Sequence, residues 1–336
     1  MSTTKLFPIL FAGLVLGLLL LITSQFVDSM KYIQQVNKNG KKANVIRVAL
    51  LLEGPTYDQG WNSSALESLT ELQKKYGFSL EIASNLKADQ IFATAQKYAS
   101  SEFDLIFGHG MIFSQPFTKI APFYPETRFV SFNGEAVHPN QTAIRYDMKP
   151  AGFIVGELAA LMSHRHKVGY IVVDKPLEYE QVEGFKLGVK RIHPDTTVEV
   201  AKVPDFNDIA AATKAARRLI AHGVDVIYTT GDSFNLAVIT EAQHANIYAI
   251  GYIADQRYMA PNHVLASLVQ DVRQCYRTTM EQYLKGLLPA GKVIYGLSEG
   301  VNRLSAFGPM VPAAVQERII RDLQTVMDDP QLFGGE

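Results

Sequence analysis

Residues 45–62 read VIRVALLLEGPTYDQGWN. The seven positions from Val45 to Leu51 carry one charge, Arg47, the pattern of a strand buried on both faces in a parallel sheet. The run breaks at Gly54-Pro55, passes through Tyr57, Asp58 and Gly60, and restarts with helical spacing at Trp61. Strand, loop and helix in this order open a βα unit, and in an open α/β sheet ligands sit beyond the carboxyl ends of the strands. The loop offers a carboxylate, two glycines, an indole and an amide. Asp58 or Asn62 would serve equally as a helix cap, and capping and binding can coexist.

Working outward, the alternation is regular. Helical spacing over 65–76 is followed by strand 78–83, helix 89–100, strand 103–107, a short helix ending near Ile120, and strands 129–132 and 143–146. A second series opens with the small-residue helix 152–164 and runs through strands 168–173, 197–200, 224–229 and 247–252, with helices between them. Strand 264–269 passes between lobes, and helices 272–287 and 311–327 flank a short strand at 293–295. Such βα alternation predicts an α/β fold of two doubly wound parallel-sheet lobes with a hinge. The expected N-terminal lobe takes 45–147 plus 270–296, and the C-terminal lobe 148–269 plus 297–330. Hinge crossings are expected near Asp147, Gln270 and Gly296.

Upstream, Lys5 precedes an apolar run from Leu6 to Ile22, with Phe26 and Val27 just beyond. That length approaches a membrane span and exceeds a usual signal-peptide core, so residues 1–28 read as a transmembrane signal-anchor and 29–44 as a lysine-rich tether. The tether lysines favour a cytoplasmic body by the positive-inside rule, but large domains are exported despite flanking charge. The expected placement is a single-pass cell-membrane anchor with the body outside the cytoplasm.

Composition narrows the chemistry. With 336 residues, 47% apolar and 19% charged, a sizeable core is affordable, and a formal charge of −1 gives no nucleic-acid surface. The closest histidines, His164 and His166, are two apart and so not on one helix face. Cys275 is the single cysteine, which excludes an internal disulfide. Neither a metal nor a cofactor is expected.

Three further strand exits repeat the first: GHGMIF at 108–113 with His109, TGDSFN at 230–235 with Asp232 and Phe234, and GYIADQ at 251–256 with Asp255. Each alone reads as an ordinary cap beside a core ring. Together, in two doubly wound lobes, they imply a cleft of carboxylates and aromatic rings, suited to a flat, hydroxyl-rich ligand.

From about Val45 to Met327 the chain resembles the basic membrane protein (BMP) family of substrate-binding proteins, whose members include purine nucleoside receptors of ABC importers. The resemblance is carried by YDQGWN at 57–62, GHG at 108–110, MKPAGFIVGELAALMS at 148–163, VDVIYTTGDSFN at 224–235 and AIGYIADQ at 249–256. Within the family it is most similar to the Med-type subgroup of bacilli. The resemblance implies a periplasmic-binding-protein type I fold that closes on a nucleoside-like ligand and works with an ABC permease. It places Trp61 as a stacking ring, Asn62 as the adjacent amide, Phe234 as a second stacking ring and Asp255 near a ribose. The family's lysine is replaced by Gln270 in SLVQDV, and no lipid-attachment cysteine is present.

An enzyme is disfavoured: no G-x-S-x-G elbow, HExxH, P-loop or Asp-rich cluster occurs. A repressor should open with a basic helix-turn-helix, where this chain has an apolar run. The alternative to import is a Med-like regulatory role. The expected ligand contacts are Asp58, Trp61, Asn62, His109, Asp232, Phe234, Asp255 and Gln270, with Trp61 and Phe234 sandwiching a purine-like ring.

Overall fold

The run that decides the fold becomes β1 (Arg47–Leu51), in which Val48, Ala49, Leu50 and Leu51 are wholly buried. A computed structural model describes residues 45–57 and 61–329. The expected anchor, tether and Asp58 lie outside these residues. No helix among the described residues is long and apolar enough to cross a membrane.

β1 pairs in parallel with β2 (Ser79–Ala83) on one side and β3 (Leu105–Gly108) on the other. Then come β4 (Arg128–Phe132), β5 (Gln141–Tyr146) and, from far along the chain, β11 (Gly291–Tyr295). The order is β11-β5-β4-β3-β1-β2, parallel throughout. Between these strands run α1 (Trp61–Tyr76), α2 (Ala88–Ser100) and α3 (Ser114–Ile120). Helix α1 buries Ala65, Leu69 and Leu72, one stripe at helical spacing.

The second sheet holds β6 (Lys167–Val173), β7 (Thr197–Val203), β8 (Val226–Thr230), β9 (Tyr248–Ile253), β10 (Val264–Gln270) and β12 (Asn302–Leu304). Its order is β12-β10-β9-β8-β6-β7, and only β12 is antiparallel. The strand expected to pass between lobes is thus a full member of this sheet. Helices α4 (Met148–Met162), α5 (Tyr179–Ile192), α6 (Ile209–Ala221) and α7 (Asn235–His244) belong to this series. Two more helices, α8 (Val272–Leu284) and α9 (Ala313–Asp328), pack on α1 and on α4 respectively.

Helix α4 is apolar nearly all round and almost wholly buried. It lies against α5 so closely that a methyl added at Gly152, Gly156, Gly184 or Gly188 would strike backbone of the facing helix. The glycines let the two helix backbones approach.

Three crossings join the lobes side by side. The chain leaves β5 for α4 at Asp147, leaves β10 for α8 at Asp271, and runs from β11 to β12 through 296–301. Asp147 N–H donates to Tyr295 O at 2.8 Å, Asp271 N–H donates to Val301 O at 2.6 Å, and the Asn302 Nδ2 donates to Asp147 O at 3.0 Å. Because β5, β11 and β10 all end at these crossings and the sheets are otherwise parallel, the carboxyl ends of both sheets flank the junction between lobes. That is where binding loops belong.

Candidate functional site

In the first lobe the loops after β1 and β3 meet. His109 N–H donates to Leu51 O at 3.0 Å, fixing the GHG loop against the end of β1. Gly110 sits at φ +152°, a conformation that only glycine adopts readily. The loop turns His109 inward to full burial beneath Trp61, the half-buried first residue of α1. The indole and imidazole are stacked, centroids 4.0 Å apart and 20° from coplanar.

Hydrogen bonds fix the imidazole. Its Nε2 lies 2.9 Å from the Trp61 carbonyl and must carry the proton, since a carbonyl only accepts. Its Nδ1 therefore accepts from the Tyr276 hydroxyl at 2.9 Å. In return the Trp61 Nε1 donates to His109 O at 3.3 Å. Phe132 presents its edge to His109 at 4.9 Å and to Trp61 at 6.1 Å, and Tyr146 lies 6.1 Å from Trp61. Asn62 is buried beside this platform, its amide filling the space that a side chain at Gly54 would need.

In the second lobe, tyrosines replace aliphatic residues inside buried strands. Tyr170 on β6 is the register partner of Tyr228 on β8, with rings 4.8 Å apart, and Tyr252 on β9 meets Tyr228 edge-on at 6.4 Å. The Tyr228 hydroxyl accepts from the Gln181 Nε2 at 2.5 Å and the Tyr170 hydroxyl from Thr230 at 3.4 Å. Burial holds all three phenols well above their usual range. The two lobes' aromatic sets are near neighbours: burial, then Cys275 and Tyr276, raise the Tyr146 phenol, and Tyr252 of the other lobe adds to the rise.

Glu178 ends the 3₁₀ turn Pro176–Glu178 after β6 and is only 8% exposed. Burial, reinforced by the Asp232 carboxylate, pushes its carboxyl up to about 7, against the pull of Lys175. Asp232 itself is exposed on the loop after β8, where its N–H donates to Phe206 O at 3.0 Å. The acidic pair is thus formed by one residue the sequence pointed to and one it did not.

The remaining expected contacts are placed differently. Phe234 is wholly buried within the apolar core of its lobe, among Ile171, Val173, Val238 and Ile239. Its ring folds under the loop into the space left by the missing side chain at Gly231, so it is a core ring, and the Trp61–Phe234 sandwich is not formed. Asp255 is exposed and already engaged by Arg257, whose Nη2 donates to Oδ2 at 2.8 Å and whose Nε donates to Oδ1 at 3.1 Å. Gln270 is half-buried at a crossing, its Nε2 3.8 Å from the Met148 sulfur. Among the described residues no cluster of His, Cys, Asp or Glu is arranged to hold a metal ion.

Sequence comparison decides what these two facing loop sets belong to. Residues 45–331 match the Bmp family, described as ABC transporter substrate-binding protein, PnrA-like. The chain belongs to this family. Bmp proteins are substrate-binding proteins rather than enzymes. The chain is 30% identical to the transcriptional activator protein Med of Bacillus subtilis, over 84% of its own length and 89% of that protein. It is 26% identical to a purine-binding protein of Brucella abortus, covering 79% and 76% of the two chains. The crystal structure of a transcriptional activator of the comK gene from Bacillus halodurans superposes with a TM-score of 0.77 at 30% identity, over 84% of this chain and 98% of that one. The Bmp family membership and the two parallel-sheet lobes together make this a ligand-binding protein of the ABC substrate-binding kind.

Proposed function

We propose that the junction between the lobes binds a nucleoside-like small molecule, with Trp61 backed by His109 as the platform for a flat ring. Asn62, Asp58, Asp232 and Gln270 then supply polar contacts, and the body works outside the cytoplasm, anchored through Leu6–Val27. The observation that carries the reading is the Trp61–His109 stack. A half-buried indole is held flat on a fully buried imidazole whose two nitrogens are both bonded, at the carboxyl ends of two parallel strands. Such a preorganised ring loses little freedom when a ligand ring joins it, and stacking adds roughly 0.5–1.5 kcal/mol per aromatic pair. The likeness to a purine-binding protein supports a purine-like ring.

Mass spectrometry of molecules released from the purified chain, followed by calorimetry with a nucleoside panel on wild type and Trp61→Ala, tests this. Release of a nucleoside or base and loss of binding in Trp61→Ala are expected. Failure of every nucleoside at millimolar concentration overturns the assignment.

A second reading, regulation without transport, is favoured by the likeness to Med and by Gln270 in place of the family's lysine. Deleting the gene and measuring nucleoside uptake separates the two: unchanged uptake with altered competence-type gene expression selects regulation.

A further inference from the structure

Among the described residues, the most exposed large apolar side chains gather in two places. Tyr57, Met111 and Tyr258 stand on the loops after β1, β3 and β9, at the carboxyl ends of the strands. Phe123, Val137 and Leu287, exposed by 77, 67 and 67%, lie instead at the amino-terminal end of the first sheet, away from the candidate ligand site. Each is the chain neighbour of a residue that lines one cavity of about 450 Å³, opening between the starts of β4 and β5, the chain leading into β11 and the end of α8. A folded surface seldom leaves such side chains together without a partner. In the cavity stands Arg128, the half-buried first residue of β4. Its Nη1 donates to Pro139 O at 2.6 Å and its Nη2 to Leu288 O, which leaves three of its five N–H groups over. Burial pushes the guanidinium down from its usual range, with the Tyr283 phenol opposing and no carboxylate contributing. Glu126 is the one carboxylate among the lining residues, and Lys119 and Lys285 are exposed beside the opening, at the ends of α3 and α8.

The upstream chain points to the occupant. At Arg47, where that chain joins the fold, the carbonyl accepts from the Asp104 N–H at 3.0 Å, and the Asp104 carbonyl accepts from the Arg128 N–H at 2.8 Å. The entry point is thus two strands, roughly 10 Å, from the cavity at the same end of the sheet. Ahead of it in sequence come the apolar run Leu6–Ile22 and then Lys31, Lys38, Lys41 and Lys42.

We propose that this end of the first lobe is a seat on a lipid bilayer surface: Phe123, Val137 and Leu287 enter the interfacial zone, and Arg128 receives a headgroup phosphate. The proposal rests on reading Leu6–Val27 as a membrane anchor. A guanidinium fork fits phosphate oxygens, and apolar side chains flanked by lysines are the make-up of a surface that lies in the interface. A protein partner fits less well, since a stable interface takes roughly 20–30 residues a side. A few side chains suffice where an anchor already holds the body at the membrane, because their contact is then intramolecular. Seated so, the lobe junction stands about one strand length, roughly 17 Å, clear of the headgroups.

The test places the full chain in vesicles of phosphatidylglycerol and phosphatidylcholine, with a fluorophore on one introduced cysteine. Cys275 is wholly buried and burial raises its thiol far above the usual range, so it stays unlabelled. Labels go on Phe123→Cys and Leu287→Cys at the seat and on Met111→Cys and Tyr258→Cys at the strand-exit loops, and lipids with a nitroxide on the headgroup serve as the quencher. The seat labels should lose most of their emission to nitroxide lipid, and the loop labels should keep theirs. Adding Val137→Asp and Leu287→Asp to the Phe123→Cys chain should restore its emission, with thermal unfolding as the check on its fold. Alkaline extraction of the same vesicles tests the anchor separately. A chain that resists extraction while its seat labels are quenched no more than its loop labels overturns the seat and leaves the anchor reading intact. A chain stripped off by alkali overturns the anchor reading and the seat with it. A seat label that shifts to shorter wavelength without quenching by nitroxide lipid shows a protein partner or a second copy on this face, and also overturns the seat.

Discussion

The Trp61 indole and the His109 imidazole lie 4.0 Å apart, each ring hydrogen-bonded to the other residue's carbonyl. This reciprocal clasp joins the start of α1 to the loop after β3, so the platform and the strand ends move as one piece. Trp61 is the single tryptophan of the chain, and tryptophan emission therefore reports on this stack alone. His109→Ala is expected to shift the emission to longer wavelength and to weaken binding of any ring ligand by roughly 0.5–1.5 kcal/mol, one lost aromatic pair. An unchanged spectrum in a folded His109→Ala variant would falsify the stack.

The imidazole is held by a donor from the helix packed on α1, the Tyr276 hydroxyl of α8. Tyr276→Phe removes that donor from a wholly buried imidazole. Stability should drop by roughly 1–3 kcal/mol, measured as a lowered urea midpoint at constant m-value. A midpoint equal to wild type would show that another group takes over the bond.

Much of the fold was legible in the sequence because both signals there are local. Val45–Leu51 is apolar but for Arg47, without alternation, and β1 is buried on both faces; the βα alternation reappears strand by strand in two sheets, parallel but for β12. β12 was not legible: Asn302-Arg303-Leu304 carries no strand pattern, and pairing with β10 alone makes it one. At the site, Trp61 and His109 could each be singled out, but their stacking joins residues 48 apart in sequence. Phe234 was misread because a ring at a strand exit can face solvent or fold back; the room beside Gly231 lets it fold back into the core. Glu178 sits in PLEYE, between the strand at 168–173 and the helix after it, where no strand or helix pattern singles it out. A usable signal did exist for the tyrosines: phenols inside the strands KVGYIVV and VIYTT are polar groups where aliphatic residues would suffice.

The contact between α4 and α5 makes a sharp stability prediction. A methyl at Gly156 would strike the backbone of Phe185, and backbone cannot rotate away as a side chain can. Gly156→Ala should cost roughly 1–3 kcal/mol by overpacking, despite the higher helix propensity of alanine. Thermal unfolding checks the sign. A variant as stable as wild type would mean that the helices separate at little cost.

Glu157 on α4 is wholly buried, facing Asp322 and Arg318 from α9 and Arg191 from α5. Burial first, then the Asp322 charge, push its carboxyl up to about 7, with Arg191 and Arg318 opposing. Between about pH 4.5 and 7 the folded chain holds a proton that the unfolded chain has lost, so stability falls as pH rises through that window. The full effect is about 3 kcal/mol at one pKa unit per 1.4 kcal/mol. Glu157→Gln should flatten part of the slope in unfolding free energy measured from pH 5 to 8. Glu178 and Asp147, whose carboxyls burial also raises, contribute to the slope that persists. A slope unaltered by Glu157→Gln would remove Glu157 from the account.

Opening and closing of the lobes must bend the three crossings, and Asn302 pins two of them together. It is almost wholly buried, its Nδ2 donates to Asp147 O at 3.0 Å, and its own N–H donates to Gly296 O at 3.0 Å. Hinges of two-lobed proteins are a few terminal residues that absorb the dihedral change, and a side-chain bond across two hinge strands limits how far they separate. Asn302→Ala removes the side-chain bond and keeps the backbone one. Small-angle scattering of the free variant should give a larger radius of gyration than wild type, and adding a saturating nucleoside should bring the two profiles together. Ligand affinity should weaken, because closure must then order a looser hinge. If stability falls while the free radius and the affinity both stay at wild-type values, Asn302 is a static staple and the hinge bends elsewhere.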